Sequence, residues 1–318
     1  MSTYYPEYIE VSLNSIDHGD GSLRLRPASD PDLDQELIED IREIGLLHPP
    51  LLQHHKGSHP YTLLSGRKRT LAVSQLGWKT VPCLLLQKTT PALLKWKITL
   101  KHALTGSQLS YIEQALFFHK AGQELEHDEL LCLLPILGHP ANDRVLETFA
   151  RALSLSTAAR DGLHTGLLQE KHIDLLAKFA TEDQEAIIRI IREYQLGGSK
   201  QRKLLLSLLD LRKRRNIPVE SIMQAWLQTR KTEQRENKPQ QAAELFTWLS
   251  EQLSPRLHGA EQDFRSFVRE MQLPASCSLL PTPYFEDEEL SLTMRFSDQE
   301  CFRRQWQAIR QVLENSRE

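Results

Sequence analysis

Apolar positions along this chain follow several rhythms, and their order predicts its elements. The stretch Glu7-Tyr8-Ile9-Glu10-Val11-Ser12 alternates with a period of two, which predicts a short strand within residues 7–17. Between 32 and 44, Leu33, Leu37, Ile41 and Ile44 recur at helical spacing, opposite Asp32, Asp34, Glu36, Glu39, Asp40 and Glu43. That pattern predicts a helix with a buried apolar stripe and an acidic solvent face. The helix stops at Gly45, and a short apolar strand follows. A second strand, from Tyr61, runs straight into Ser65-Gly66-Arg67-Lys68-Arg69, where another helix opens.

From Pro91 onward the pattern is helical. Ser110-Tyr111-Ile112-Glu113 has the form of a capping box, with Ala115, Leu116 and Phe118 continuing its helix. A short helix is predicted from Asp128 to Leu134, a turn containing Gly138 from Ile136 to Pro140, and a longer helix from Asn142 to Leu153, with Val145, Phe149 and Leu153 on one stripe. Helix, glycine turn, helix is the layout of a helix-turn-helix. Residues 229–241 are polar and read as a linker. Beyond it, Leu245, Trp248, Leu249 and Leu253 form one stripe, and Phe264, Phe267 and Val268 a second. Two strand-like runs within 275–296 flank an acidic turn, and a closing helix carries Phe302, Trp306, Ile309 and Val312 on one face. These aromatic stripes are expected to be core rather than a base-stacking platform.

Composition narrows the classes. The chain has 318 residues, enough for two or three domains, and is 40% hydrophobic and 25% charged, as expected of a globular protein. A net charge of -3 makes no overall demand for nucleic acid. Four cysteines, Cys83, Cys132, Cys277 and Cys301, lack CxxC spacing and are expected to be reduced and mostly buried. The first residues lack a basic region followed by an apolar core, and the longest apolar run, near Leu130 to Leu137, contains Pro135. A soluble, cytoplasmic protein without a membrane segment is expected. His54, His55 and His59 read as a polar hairpin turn rather than a metal site, and no Ser/His/Asp grouping stands out, so no catalytic or metal-ligating residue is assigned.

Three groups are candidates for ligand contact. A helix N-terminus offers unpaired N–H groups and the positive end of the macrodipole, and Gly66 lets backbone approach closely. With Arg67, Lys68 and Arg69 beside those groups, the turn is a natural phosphate site. Asn142, Asp143 and Arg144 occupy the first turn of the second helix of the helix-turn-helix, the end that enters a major groove. Asparagine and arginine suit adenine and guanine edges. Finally, Lys200, Arg202, Lys203, Arg212, Lys213, Arg214 and Arg215 form a block broken by one acid, Asp210. Such a block suits phosphate-backbone contact, and equally suits a helix end favoured by the macrodipole.

The order of these elements resembles the ParB partition family. The resemblance rests on Ile41-Arg42-Glu43-Ile44-Gly45-Leu46-Leu47-His48-Pro49, on the turn Gly66-Arg67-Lys68-Arg69-Thr70-Leu71-Ala72, and on Gly77-Trp78-Lys79-Thr80-Val81-Pro82, in register over about fifty residues. It implies an α+β N-terminal domain of the ParB/sulfiredoxin fold (1–105) and an all-α helix-turn-helix domain that binds DNA (106–228). The linker (229–241) then leads to a small α+β C-terminal domain (242–318) that dimerises. The resemblance also implies a nucleotide, CTP, at the turn. Arg24 or Arg26 is the counterpart of a loop arginine that touches phosphates, and a partition ATPase is the implied partner. The chain departs from the family pattern at several points. Arg67 stands where the family has an acid, Leu71 where it has an arginine. Aligning Leu109-Ser110-Tyr111-Ile112-Glu113 on the family's L-N-P-I-E puts His102, Ala103 and Gly106 where its E-N-x-x-R stretch carries the magnesium-binding acid, the amide and the arginine. A hard divalent cation needs oxygen ligands. A nucleotide pocket without efficient CTP hydrolysis is therefore expected. Two readings stay open beside a nucleoid-associated DNA-binding protein of partition or mobile-element control. One is a nucleotide-binding enzyme of the same fold, a nuclease, phosphotransferase or CTP hydrolase. The other is an adaptor that has lost both activities.

Overall fold

The computed structural model describes residues 5–17, 25, 34–54, 59–106, 108–229, 237–271 and, with gaps, 273–310. It divides into two compact units, Met1–Leu205 and Leu206–Glu318.

The first unit opens with a mixed five-stranded sheet. β1 (Glu7–Ser12), β2 (Ile16–Asp17), β3 (Leu51–His54), β4 (Tyr61–Ser65) and β5 (Thr80–Leu86) lie in the order β1-β5-β3-β4-β2. β1 pairs antiparallel with β5 and β3 antiparallel with β4, while β3–β5 and β2–β4 are parallel. A 3-10 turn at Leu13–Ser15 splits the expected single strand into β1 and β2, which sit on opposite edges of the sheet. Strand alternation sends side chains to two faces. Val81, Cys83, Leu85 and Leu52 join a core with Ile38 and Ile41 of α1 (Gln35–Ile44) and Ala72 and Val73 of α2 (Arg67–Gln75). Leu51, Leu64 and Leu86 form the other face, where Ile98 of α3 (Ala92–Ala103) packs. α1 is capped by Asp34, which accepts from the Leu37 N–H, and ends at Gly45 in a positive φ of 82°.

α3 is apolar on two sides. Trp96 and Leu100, one turn apart, enter a second core with Ala115, Phe117, Phe118 and Ala121 of α4 (Tyr111–Ala121). The Ser110/Glu113 capping box forms as expected: Ser110 Oγ accepts from the Glu113 N–H at 3.3 Å, and the Ser110 N–H donates to Glu113 Oε2 at 2.8 Å. α5 (His127–Leu133) continues through a 3-10 turn at Leu134–Leu137, around Pro135, to Gly138 at φ 81°. α6 (Asp143–Leu153) follows and packs on α4, Phe149 stacking on Phe118 with ring centroids 5.4 Å apart. α7 (Thr157–His164), α8 (Ile173–Leu176) and α9 (Thr181–Glu193) complete the body, and the division at Leu205 falls within α10 (Gly198–Arg215).

In the second unit, α11 (Val219–Thr229) and α12 (Lys238–Leu253) share a core through Trp226 and Trp248, whose centroids lie 5.7 Å apart. α12 starts at Lys238, inside the stretch read as a linker. α13 (Pro255–Glu270) precedes a two-stranded antiparallel sheet, β6 (Cys277–Pro281) and β7 (Leu290–Met294). The expectation that every aromatic stripe is core needs correction. Leu245, Trp248 and Leu249 are buried, but Phe267 is 43%, Phe302 42% and Trp306 49% exposed, because a lone two-stranded sheet offers too little surface to cover them. The cysteines likewise differ from expectation: Cys83 is buried, Cys277 half-buried and Cys132 exposed, while Cys301 lies outside the described residues. Burial pushes the Cys83 thiol up to about 12. Among the described residues, no helix is long and apolar enough to cross a membrane.

Candidate anion site and nucleic-acid interface

Gly66 closes β4 and caps α2 in a left-handed conformation, φ 103° and ψ 23°. A β-carbon there would meet Pro50 Cα at 3.0 Å and Pro50 Cβ at 3.1 Å. Glycine is therefore required twice, for the backbone angle and for the close approach. No side chain caps α2 and no acid sits in its first turn. Arg67, Lys68 and Arg69 lie in that turn, all partly buried. Lys68 Nζ is 3.9 Å from Asp34 Oδ2. Arg69 Nη1 donates to the His48 carbonyl at 2.6 Å, and burial lowers its guanidinium from the ordinary arginine value.

The floor of this turn is the segment His48-Pro49-Pro50. Neither proline has an N–H, so its carbonyls need donors from elsewhere. Three elements supply donors to the segment. Arg69 of α2 reaches the His48 carbonyl, His102 Nε2 of α3 lies 2.9 Å from the Pro49 carbonyl, and the Leu84 N–H of β5 donates to the Pro50 carbonyl at 2.8 Å. This convergence joins residues far apart in sequence and is not among the expected contacts. A signal existed: His102 lies one helical turn beyond Ile98, on the sheet-facing side of α3.

His102 stands at the position that aligns with the family's metal-binding acid. Its ring lies within the field of the Arg69 guanidinium and is pinned to a backbone carbonyl, a setting that repels a further cation. Among the described residues, no three His, Cys, Asp or Glu side chains gather as a metal cluster. These residues do not fit a magnesium site. Arg24 and Arg26, the other phosphate candidates, lie outside the described residues, as does His55 of the histidine trio.

The candidate DNA-reading residues have different tasks in the structure. Asn142 is the N-cap of α6, and its Oδ1 accepts from the Val145 N–H at 3.2 Å. Asp143 Oδ1 lies 2.5 Å from His127 Nε2, at the start of α5. Arg144 is exposed at the head of α6. The basic block also divides. Lys200, Arg202 and Lys203 lie exposed on the part of α10 in the first unit. In the second unit, Arg214 pairs with Asp210 and donates to the Leu253 carbonyl at 2.7 Å, while Arg215 donates to the Gln252 carbonyl at 3.2 Å. These two arginines satisfy carbonyls at the end of another helix, α12. Lys213 is exposed and Arg212 partly buried.

An α+β domain whose second hairpin strand feeds an uncapped cationic helix, followed by a helical body, defines the class. A family model for the ParB N-terminal domain matches residues 5–99. Over that N-terminal stretch the chain is similar to the ParB-type partition proteins. It is similar to the nucleoid occlusion protein of Oceanobacillus iheyensis, 27% identical over 164 residues, covering 51% of this chain and 56% of that protein. It is also similar to the nucleoid occlusion protein of Bacillus cereus, 26% identical over 179 residues, covering 55% and 59%. The match thus spans somewhat more than half the length of these relatives. Among solved structures, the C-terminally truncated chromosome-partitioning protein ParB from Caulobacter crescentus, complexed to the centromeric parS site, matches with a TM-score of 0.36 at 18% identity. That match covers 62% of this chain and 98% of that chain.

Proposed function

We propose that this chain is a ParB-like DNA-binding protein acting in DNA partition or nucleoid occlusion, or in control of a mobile element. The observation that carries the reading is the α5–Gly138–α6 unit, a helix, a left-handed glycine turn and a helix with Arg144 exposed at its head. This succession supports a helix-turn-helix whose second helix meets a major groove with its N-terminal residues. Residues 106–228 are the DNA-binding body in this reading. Lys200, Arg202 and Lys203 add phosphate-backbone contact and salt dependence. The names of the curated relatives agree with a role on chromosomal DNA.

The turn at Gly66–Arg69 is the nucleotide pocket in this reading. It holds the phosphates of CTP at the first turn of α2, and the cationic surroundings of His102 leave hydrolysis inefficient. Residues 242–318 form the dimer contact. Phe267, Leu280, Leu290 and Trp306 are the apolar groups that a second copy would cover. A partition ATPase is the expected protein partner, and the compartment is the cytoplasm.

Selection of sheared genomic DNA by the purified full chain, with and without CTP at about 150 mM salt, tests the proposal, since backbone-only binding is weak there. Enrichment of one short palindromic site is expected. No enrichment in either condition would sink the DNA-binding reading and move a nucleotide-dependent enzyme or an adaptor to the front.

A further inference from the structure

The His48-Pro49-Pro50 segment beneath the anion turn is held in part by a titratable group. A backbone carbonyl only accepts, so His102 Nε2, 2.9 Å from the Pro49 oxygen, carries the proton of that bond. In a neutral imidazole the other nitrogen is then a bare acceptor. Here that nitrogen, Nδ1, is buried and has no hydrogen-bond partner. The groups acting on the ring are Arg69 from α2 and His48 from the segment itself, and both oppose a second positive charge. Burial is the largest cause holding His102 below its ordinary 6.5; Arg69 follows, and the Pro49 bond pulls weakly the other way.

Protonation in the ligand-free chain would thus bury an N–H without an acceptor and place a cation beside a cation. A dianion seated on the first turn of α2 reverses the second cost. It offsets the Arg69 charge and favours the imidazolium. We infer that His102 couples proton uptake to anion binding at the Gly66–Arg69 turn, so that the phosphate of a nucleotide binds more tightly as pH falls. This rests on the reading of that turn as an anion site. His102 is a positioning residue in this account: it senses the anion through Arg69 and the shared carbonyl segment. The coupling is this chain's own, because it arises from a histidine where the family pattern has a carboxylate.

The test is nuclear magnetic resonance of the His102 ring in the full chain, titrated with and without sulfate, an anion whose own charge is constant between about pH 5 and 8. Without sulfate the ring should titrate below 6.5. Saturating sulfate should raise its midpoint, and the sulfate affinity should rise by up to about tenfold per pH unit between the two midpoints. CTP in place of sulfate distinguishes a nucleotide site from a general anion site, and should move the same ring. His102→Gln, whose amide N–H can still reach the Pro49 carbonyl, should lose the pH dependence of affinity. The wild-type titration stands without that variant. Sulfate or CTP binding that leaves the His102 midpoint unmoved would overturn the coupling while leaving the anion site intact. No binding of either at any pH would overturn the site and the coupling together.

Discussion

α2 and α6 both begin after a left-handed glycine, and both were read from sequence as places where a nucleic acid or nucleotide makes contact. They are built oppositely. α2 starts on Gly66 itself, with no side-chain cap, no acid and three cations in its first turn. α6 starts five residues beyond Gly138, with Asn142 bonded to its own backbone and Asp143 beside His127. A helix start with a side-chain cap and an acidic first residue disfavours an anion; one without a cap and with cations beside it favours one. The same position in two helices therefore supports two kinds of recognition. In the proposed reading the backbone is the receptor at α2, whereas at α6, where Asn142 takes the Val145 N–H, the exposed side chain of Arg144 reaches out.

The glycines give the largest test of this contrast. Gly66→Ala combines a positive φ with a clash against Pro50 backbone at 3.0 Å. It should cost about 2–4 kcal/mol in denaturant unfolding. Gly138→Ala has a similar φ of 81° but nothing within 4 Å of the new carbon, and should cost only about 1 kcal/mol. Equal losses would remove the close approach of Gly66 to Pro50 from the account.

Arg144→Ala comes next. Specific DNA binding at constant salt should weaken by about 1–3 kcal/mol with unfolding unchanged. Unchanged affinity would take Arg144 out of the reader set. Asn142→Ala should act the other way round, costing about 1 kcal/mol of stability through the lost cap, while Asn142→Asp, which can still cap, should restore it. A variant that lost DNA affinity at full stability would make Asn142 a reader after all.

The smallest effect is a slope. The folded midpoint of His102 lies below its ordinary 6.5, so between the two values the unfolded chain binds more protons. Stability is therefore complete above 6.5 and declines as pH falls through the folded value. Fully buried His172, lowered chiefly by its own burial, adds to the same decline. His102→Gln should flatten the acid limb measured by unfolding across pH and leave the His172 share. An unchanged limb would mean that the His102 ring is not desolvated.

The capped start of α4 and the strand-to-helix turn at Gly66 were legible in the sequence. Each depends on residues within a few positions: Ser110 with Glu113, Ser65 with Gly66 and the cations that follow. The stripe Val145, Phe149, Leu153 was legible for the same reason, since helical spacing alone puts those residues on one face. The contact of His102 with Pro49, 53 residues away, was not legible, nor that of Arg214 with the Leu253 carbonyl, 39 residues away. Pairing Asp143 with His127 needed the geometry of two helices.

What the sequence determined by itself, then, is where the chain turns and caps, because capping and backbone angle are decided by neighbours a turn apart. What only the tertiary structure decided is which polar groups remain available for a ligand. Residues far apart in sequence compete for the same buried carbonyls and carboxylates, and the packing of the sheet and helices determines which of them reach those partners.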